Sequence, residues 1–493
     1  MSRIKKTAFL SGAQVVTTLS TLIIAAVLSR VLDSKADYGT YQQTLLIYTF
    51  LAPLLALGLP AASFYFIPKS ESNQRAICLN ALVAIIFISL IFSVLCLTLG
   101  RSYIPKVFNN PDLANTIPWL AIYGPATLIL VYVTSALVAL NRAKLSAIFS
   151  IIFRIILASS VAITAISLTK IDFIIGLQSC VILIGSLTAI GLIWRLTRNS
   201  LKSQPLISFS NINVQLKYAV PLGLGAMLEG MALAIDRLMV SLLLDPEDYA
   251  IFSNGAMEVP LIAAITVAAG AVMLPEIVKA FGKGNANEAL NLWQLMVRRV
   301  TFILLPAGFL FFLVSQELMV ILYSEKFKDS VGPFRIYMLM LPARVAYFGM
   351  LFQGAGKTKL VLLRAIITLF LNTVITYFLV LKFGMDGAAW GTVAVVWLFV
   401  VPYCIGCCAK ISDTKWNRLL PYKYIFSVGI LSALVALVSW YLSSYFGFEE
   451  LILQALAKAS IYIVLILSLM LTVFREDFLH IYNQLKLRIS SGK

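Results

Sequence analysis

The stretch LEGMALAIDRLMV, residues 228–240, combines an apolar run with Glu229, Asp236 and Arg237. It lies within the segment 216–244, which is apolar and long enough to cross a bilayer as one helix. Its Leu, Ile and Val residues contribute about 5 kcal/mol to insertion, against a cost of about 8–10 kcal/mol for three charges at mid-membrane. Membrane insertion of this helix by itself is therefore marginal in free energy. Its charges require contact with other side chains or water, or they serve a function that offsets their cost.

The composition of the whole chain predicts an all-α polytopic membrane protein. Of its 493 residues 60% are hydrophobic and only 12% are charged, and the mean hydropathy is +0.92. Soluble globular chains are nearer half apolar and a quarter charged. The apolar run after Arg3, Lys5 and Lys6 is too long for the core of a signal peptide, so we expect it to be the first spanning helix.

Hydropathy divides the chain into about fourteen predicted transmembrane helices. Their approximate ranges are 8–32, 40–67, 76–100, 116–140, 146–169, 172–195, 216–244, 250–278, 293–315, 333–354, 360–381, 387–409, 423–446 and 452–474. With the N-terminus inside, about two thirds of the 39 Lys and Arg residues fall in inside loops. This charge asymmetry predicts a multi-pass membrane protein with both termini cytoplasmic. It also explains the pI of 9.6 without a nucleic-acid partner.

Two pairs of similar segments indicate an internal repeat. LSRVLDSKADYGTY, residues 28–41, and LMVSLLLDPEDYAIF, residues 238–252, both place Asp-Tyr just beyond the end of a span. ALNRAKLSAIF, residues 139–149, and GAGKTKLVLL, residues 354–363, are both basic turns that contain Lys-Leu. Each pair is six predicted helices apart, an even number, so the two repeats run parallel.

The repeat predicts three parts of the chain. Residues 1–200 form an N-lobe of six helices, and residues 201–410 form a parallel C-lobe of six. Residues 411–493 form an extra C-terminal hairpin and a cytoplasmic tail. The predicted loops are no longer than about 25 residues, little more than the ~20 residues of a single spanning helix. Loops of this length are too short to fold as a separate domain, so we expect no extramembrane domain.

Charged residues within predicted spans are the candidate functional residues. Glu229 and Asp236 lie about 22 and 12 Å from the outer end of their helix, and seven residues of spacing puts them on one face. Glu258, on the next span, matches the depth of Asp236 and Arg237. Two interpretations stay open: a structural Arg237–Glu258 pair, or a cavity wall that binds an anionic head group and a coupling cation.

Five further basic residues lie in or beside predicted spans. Arg154 and Arg344 are about 12 and 16 Å from their span ends, too deep for a simple reach to the interface. We expect the others to extend towards an interface; they are Arg335, Arg364 and Lys458.

Other motifs have structural interpretations. GAGKTK lacks a nucleotide-binding P-loop's first glycine, because Leu351 occupies that position. We therefore interpret Lys357 and Lys359 as inside-loop charges and expect no nucleotide. The cysteines around Cys404 have no second pair at metal-binding spacing, and His480 lies in the tail, so we expect no metal and no catalytic residue.

The segments around these charges resemble a known family. Arg30 followed by Asp37-Tyr38-Gly39, and the Asp236-Arg237 pair, resemble the first- and seventh-helix patterns of polysaccharide-exporting lipid-linked oligosaccharide flippases. These belong to the polysaccharide transporter family of the multidrug/oligosaccharidyl-lipid/polysaccharide exporter superfamily. The resemblance extends over essentially the whole chain, and its motifs are more specific for the superfamily than for the substrate.

The resemblance implies a transporter, not an enzyme. It would move an undecaprenyl-diphosphate-linked oligosaccharide to the outer leaflet by alternating access, for O-antigen or exopolysaccharide synthesis. The diphosphate would contact arginines, since the guanidinium fork forms bidentate charge-assisted bonds; the candidates are Arg30, Arg154, Arg237 and Arg344. Coupling to H⁺ or Na⁺ would involve an acidic residue; the candidates are Glu229, Asp236 and Glu258. The implied partners are membrane lipid, the lipid-linked oligosaccharide and polysaccharide polymerase or ligase proteins.

Three alternatives stay open at this point. Fourteen spans also resemble the lipid II flippase branch of the superfamily. A cation-coupled drug antiporter would favour acidic residues over arginines in its cavity. A membrane glycosyltransferase or polymerase is expected to have a large outer loop, which this chain lacks.

Overall fold

The structure, a computed structural model, describes residues 3–69, 73–168, 170–198, 205–257 and 260–475. Within these ranges the regular elements are all helical, which confirms the all-α prediction. Glu258 and the tail around His480 lie outside the described residues. The α-helices, numbered in chain order, are α1 Arg3–Val31, α2 Lys35–Ala56, α3 Leu59–Lys69, α4 Gln74–Leu95, α5 Arg101–Val107, α6 Leu113–Ala139, α7 Ala143–Ser167, α8 Ile171–Leu196, α9 Phe209–Leu243, α10 Pro246–Gly255, α11 Pro260–Gly282, α12 Ala286–Leu313, α13 Ser315–Tyr323, α14 Val331–Met338, α15 Leu341–Arg344, α16 Gly349–Gly354, α17 Thr358–Val395, α18 Val401–Ile411, α19 Trp416–Leu419, α20 Tyr422–Ser444 and α21 Leu451–Val473.

Eleven helical segments of the described residues are long and apolar enough to cross a membrane, or twelve if one bent pair counts as a span. One of the eleven runs from Thr358 to Ile411, and its 54 residues exceed the length of one crossing. Within it Gly384 has a φ of 59°, outside the helical range. The break falls between the predicted spans 360–381 and 387–409, so this segment accounts for both.

Three predicted spans are broken in the structure. The second span, 40–67, is interrupted at Leu57 and Gly58, which adopt φ values of 44° and 70°. The eighth is interrupted after α10, and α11 begins at Pro260, a position where proline is favoured. The tenth consists of α14, α15 and α16, and its two halves are bent by 43°.

A close backbone approach explains the break at Gly58. A Cβ atom on Gly58 would lie 2.3 Å from the carbonyl oxygen of Ala219 on α9, and one on Gly223 would lie 2.5 Å from the Gly58 nitrogen. Small residues permit this contact between membrane helices. The positive φ of Gly58 adds a second reason for glycine at this position.

The chain forms two compact units, Met1–Ser253 with Leu369–Ala388, and Asn254–Thr368 with Ala389–Lys493. In the first unit, α1 packs against α7, α6 packs against α4 and α8, and α9 packs against α2, α3 and α4. In the second unit, α12 packs against α11 and against the hairpin of α20 and α21. These units are defined by contacts, whereas the predicted lobes rest on sequence similarity, so the lobe boundaries stay a prediction.

Candidate functional site

The three charges of the opening stretch lie on α9, a helix about 52 Å long at 1.5 Å per residue. Asp236 is only 5% exposed, Arg237 is half-buried and Glu229 is exposed. Helical spacing predicts one face for Glu229 and Asp236, yet their environments differ because α9 is packed more closely from residue 235 to its C-terminal end than it is around Glu229. Glu229 lies about 21 Å from that end, deep enough to be inside a bilayer.

Asp236 and Arg237 both interact electrostatically with Tyr249 of α10. The Arg237 backbone N–H donates a hydrogen bond to Asp236 Oδ1 at 2.7 Å. Tyr249 is 2% exposed, and burial raises the pKa of its hydroxyl; the Arg237 guanidinium opposes this shift and the Asp236 carboxylate adds to it. Both charges therefore act on one buried hydroxyl near the C-terminal end of α9.

A buried polar network on α2 contacts the C-terminal end of α9. Gln43 Nε2 donates to the carbonyl of Ser241 on α9 at 3.4 Å, and Gln43 Oε1 accepts from Asn110 Nδ2 at 2.7 Å. Asn110 Nδ2 also lies 2.9 Å from Thr40 Oγ1. These side chains are fully or almost fully buried, so each polar atom needs such a partner.

The same face of α2 is tied to two other helices. The Tyr41 hydroxyl donates to Gln178 Oε1 of α8 at 3.0 Å, and the hydroxyls of Thr44 and Thr116 lie 2.7 Å apart. The start of α2 is thus joined by hydrogen bonds to α6, α8 and α9. Sequence analysis did not single out these polar residues, although four of them, at positions 40, 41, 43 and 44, lie together at the start of the predicted second span.

The two motifs of the predicted repeat contact each other directly. A Cβ atom on Gly39 would lie 1.9 Å from the carbonyl oxygen of Pro246, at the start of α10. Ser34 caps α2 by accepting from the Asp37 N–H at 3.0 Å. Tyr38 and Tyr249, at equivalent places in the motifs, are both buried. Gly39 is therefore required by packing.

Two other candidate arginines of the first unit lie on different helices. Arg30, near the end of α1, is exposed, and its Nη1 donates to the Ala26 carbonyl at 2.8 Å. Arg154 is half-buried on α7, and its charge acts on the hydroxyl of Tyr123 on α6. The Tyr123 ring packs edge-to-face against Tyr48 of α2, with centroids 5.3 Å apart. Arg154 thus adjoins an aromatic pair, a different environment from that of Arg237.

The second unit contains Arg344 and an ion pair that sequence analysis missed. Arg344 is half-buried at the end of α15, within the broken tenth span, where irregular backbone at membrane depth is characteristic of cavities or protein interiors. Glu317 of α13, which the span prediction placed in an outer loop, is 2% exposed and forms an ion pair with Lys458 of α21. Lys458 therefore reaches a buried carboxylate instead of the interfacial water expected from sequence.

Arg335 is exposed, as an arginine that extends towards an interface should be, and it also forms contacts that the sequence did not predict. Its Nε donates to Ser315 Oγ at 2.7 Å, and its guanidinium carbon lies 5.5 Å from the centre of the Phe312 ring. No sequence pattern predicts the contact between Arg335 and Ser315, which are 20 residues apart. Among the described residues, no group of three or more His, Cys, Asp or Glu side chains is placed to hold a metal ion.

Comparison with known proteins gives a family and a fold. The sequence profile described as "Polysaccharide biosynthesis protein" matches residues 4–281, which include α1 to α10 and most of α11. A comparison with curated protein sequences finds no match.

Several solved structures share the fold. The lipid II flippase MurJ, in an inward closed conformation, is 15% identical and has a TM-score of 0.71 over 97% of this chain and 100% of its own. An inward-facing multidrug resistance MATE transporter of the MOP superfamily is 14% identical, with a TM-score of 0.58 over 81% of this chain and 96% of its own. A MOP superfamily transporter from Pyrococcus furiosus is 16% identical, with a TM-score of 0.55 over 84% of this chain and 96% of its own.

Proposed function

The chain belongs to the polysaccharide biosynthesis protein family, and on that premise we propose that it is a flippase for an undecaprenyl-diphosphate-linked oligosaccharide. The family and the fold are those of membrane transporters and flippases. The proposed cargo enters from the inner leaflet, and alternating access delivers its head group to the outer leaflet of the bacterial inner membrane. Polysaccharide polymerase or ligase proteins then use it for surface polysaccharide synthesis.

The observation that carries the proposal is the charge arrangement on α9. Glu229 is exposed about 21 Å from the outer end of the helix, and half-buried Arg237 lies eight residues further on. An ionised side chain at membrane depth is costly unless water, a ligand or a partner contacts it. A transport pathway with an anionic head group supplies such contacts, and guanidinium groups suit a diphosphate.

We assign the head group of the cargo to arginines and the energy coupling to α9. Arg237 is the first candidate for the diphosphate, and Arg30, Arg154 and Arg344 are the others. Glu229 is the first candidate for binding H⁺ or Na⁺, because its exposure leaves it accessible to solvent ions. Asp236 is a weaker candidate because it is buried beside Arg237 and Tyr249.

Reconstituted vesicles with a fluorescent undecaprenyl-diphosphate oligosaccharide in one leaflet test the cargo. We expect flipping by the wild-type chain, measured as new accessibility to an external glycosidase. We expect Arg237→Gln to reduce the rate by about 10-fold or more, as the loss of a charge-assisted bond of about 1.5–3 kcal/mol predicts. Arg142→Gln, which changes an exposed arginine in a turn, is the matched control.

Further measurements in the same vesicles distinguish the proposed cargo from other cargoes, and a binding role of Arg237 from a structural one. If the vesicles flip lipid II or exchange an organic cation but do not flip the oligosaccharide lipid, the proposed cargo is wrong. If Arg237 serves only as the structural partner of Glu258, then Glu258→Gln and Arg237→Gln lower the thermal midpoint equally. In that case Arg237→Lys, which keeps the charge, restores transport fully.

An imposed proton or sodium gradient tests the coupling. We expect Glu229→Gln to flip at a rate that no longer responds to the gradient, because the amide does not titrate. Glu247→Gln, at an exposed acidic residue in the first turn of α10, should keep the response. An unchanged response in Glu229→Gln would remove Glu229 from the coupling mechanism and leave the cargo assignment intact.

A further inference from the structure

A cavity of about 840 Å³ lies at one end of the second unit. The ends of α11, α16 and α18 and the start of α17 form its walls. Its lining contains Lys357 of the GAGKTK segment and Lys410 of α18. All of these chain segments belong to loops, or lie beside loops, that the charge pattern places on the cytoplasmic side.

The glycine-rich turn in this cavity does not act as a phosphate-binding loop. The N–H groups of Ala355, Gly356 and Lys357 already donate to the carbonyls of Leu351, Gln353 and Phe352, at 3.0, 3.1 and 2.8 Å. Gly356 has a φ of 68°, a turn conformation that favours glycine. The turn therefore positions Lys357 at the cavity, and its own three N–H groups are already engaged in hydrogen bonds.

The two lysines give the cavity a positive charge. Both are exposed, and the side chain of neither forms a hydrogen bond or ion pair with the residues that the structure describes. The described residues that line the cavity include no Asp or Glu. An anionic ligand is therefore complementary to the cavity in charge.

The other walls of the cavity are mostly apolar. Val278, Phe281, Leu360 and Ile411 contribute side chains beside the lysines. A free inorganic anion gains nothing from apolar walls, whereas the glycerol and upper acyl chains of a phospholipid do. An oligosaccharide needs many hydrogen-bonding side chains, and besides the two lysines the lining has only the thiol of Cys407.

We propose that this cavity, formed by the ends of α11, α16 and α18 and the start of α17, binds the phosphate head group of an anionic phospholipid from the inner leaflet. Lys357 and Lys410 contact the phosphate, and the apolar walls contact the adjoining glycerol and acyl carbons. Basic pockets on the cytoplasmic side of membrane helices bind anionic lipid head groups by this combination. The proposal does not rest on the transported cargo.

Lipid retention by the full-length chain tests the proposal. The purified protein in non-ionic detergent is titrated with phosphatidylglycerol or with phosphatidylcholine of the same acyl chains, and native mass spectrometry counts the bound lipids. We expect one tightly held phosphatidylglycerol in the wild type. Lys357→Gln/Lys410→Gln should weaken it by roughly 30-fold, since each lysine near an anionic lipid surface contributes about 5-fold in affinity.

Two variants control this result. Lys283→Gln/Lys359→Gln removes the same charge from neighbouring exposed lysines that do not line the cavity, and it should retain phosphatidylglycerol as the wild type does. Lys357→Arg/Lys410→Arg keeps both charges and should restore binding, which separates a lipid contact from an effect on folding.

Several outcomes would overturn the proposal. They are equal retention of phosphatidylcholine, equal losses in the cavity and control variants, and displacement of the phospholipid by equimolar inorganic pyrophosphate. Tighter binding of the undecaprenyl-diphosphate oligosaccharide at the same lysines would also reject it. Failure of the flipping assay alone leaves phosphatidylglycerol retention unchanged, so the two proposals fail separately.

Discussion

The two compact units accommodate ionisable side chains in different ways. On α9 of the first unit, Glu229 is exposed at membrane depth, on a helix that is marginal by hydropathy. In the second unit, Glu317 is buried and forms an ion pair with Lys458. Breaking a buried pair leaves an uncompensated charge, whereas changing an exposed side chain usually alters stability by less than about 0.5 kcal/mol. The comparison separates a buried ion pair that joins two helices from an exposed charge on a single helix.

The largest expected effect comes from breaking the buried pair. Glu317→Gln leaves the Lys458 ammonium without its carboxylate and should lower the free energy of unfolding by about 3–5 kcal/mol. Thermal unfolding in detergent, followed by circular dichroism, measures the change. Glu317→Gln/Lys458→Met removes both charges and should recover most of the loss; a single variant as stable as the wild type would show that the pair is unimportant.

A smaller effect is expected where the two repeat motifs touch. Gly39→Ala places a methyl group 1.9 Å from the Pro246 carbonyl oxygen, so the backbone must move, at a cost of about 1–3 kcal/mol. Gly225→Ala is the matched control, because nothing lies within 4 Å of its added Cβ. The control should be stabilised by about 0.5–1 kcal/mol through helix propensity. Equal thermal midpoints would argue against the close contact.

Asp248 is expected to give a weak pH dependence at the start of α10. Burial, with added repulsion from Asp245 and Glu247, raises the pKa of its carboxyl, and Lys35 partly opposes the shift. A raised pKa in the folded state means that its contribution to stability is complete below the unfolded pKa and is lost as pH rises through the folded value.

Replacing Asp248 tests the expected direction of this pH dependence of stability. Asp248→Asn should raise the thermal midpoint slightly at pH 7, by less than about 1 kcal/mol in stability because the side chain is only half-buried. The difference should vanish near pH 3, where the carboxyl is protonated in both states. Asp112→Asn, at an exposed position that does not contribute to the Asp248 shift, is the control; a stabilisation of Asp248→Asn that grows as pH falls would contradict the expected direction.

The smallest effect on stability is expected at Glu229. Glu229→Gln changes an exposed side chain and should leave the free energy of unfolding within about 0.5 kcal/mol of the wild type. The same thermal measurement as for Glu317→Gln provides the direct contrast. A large loss of stability in Glu229→Gln would place Glu229 with the structural charges and would weaken its proposed coupling role.

Sequence patterns predicted much of the secondary structure because membrane spans require long apolar runs. The helices α6, α7, α8, α20 and α21 coincide closely with predicted spans. The break at Gly58 was harder to predict, since it depends on how closely the backbone of α9 approaches. Glu317 was missed because the predicted ninth span ended at residue 315, two residues before it.

The burial of side chains along α9 is a property of the candidate site that helical periodicity does not predict. Seven-residue spacing correctly relates Glu229 and Asp236 in angle, but it carries no information on what packs beside each one. The network of Gln43, Asn110 and Ser241 contacts α9 near its C-terminal end, away from Glu229. Sequence therefore identified the charged residues on α9 but could not divide them into buried and exposed.

The sequence by itself determined that this chain is helical, membrane-spanning and a member of the polysaccharide biosynthesis protein family, because hydropathy and local motifs are properties of short segments. Only the tertiary structure decided that Asp236 and Arg237 act on Tyr249, that Gly39 meets Pro246, and that Lys458 pairs with Glu317. Those contacts join residues up to 207 positions apart, the separation of Gly39 and Pro246, and they depend on which helices pack together. Local periodicity does not record that packing.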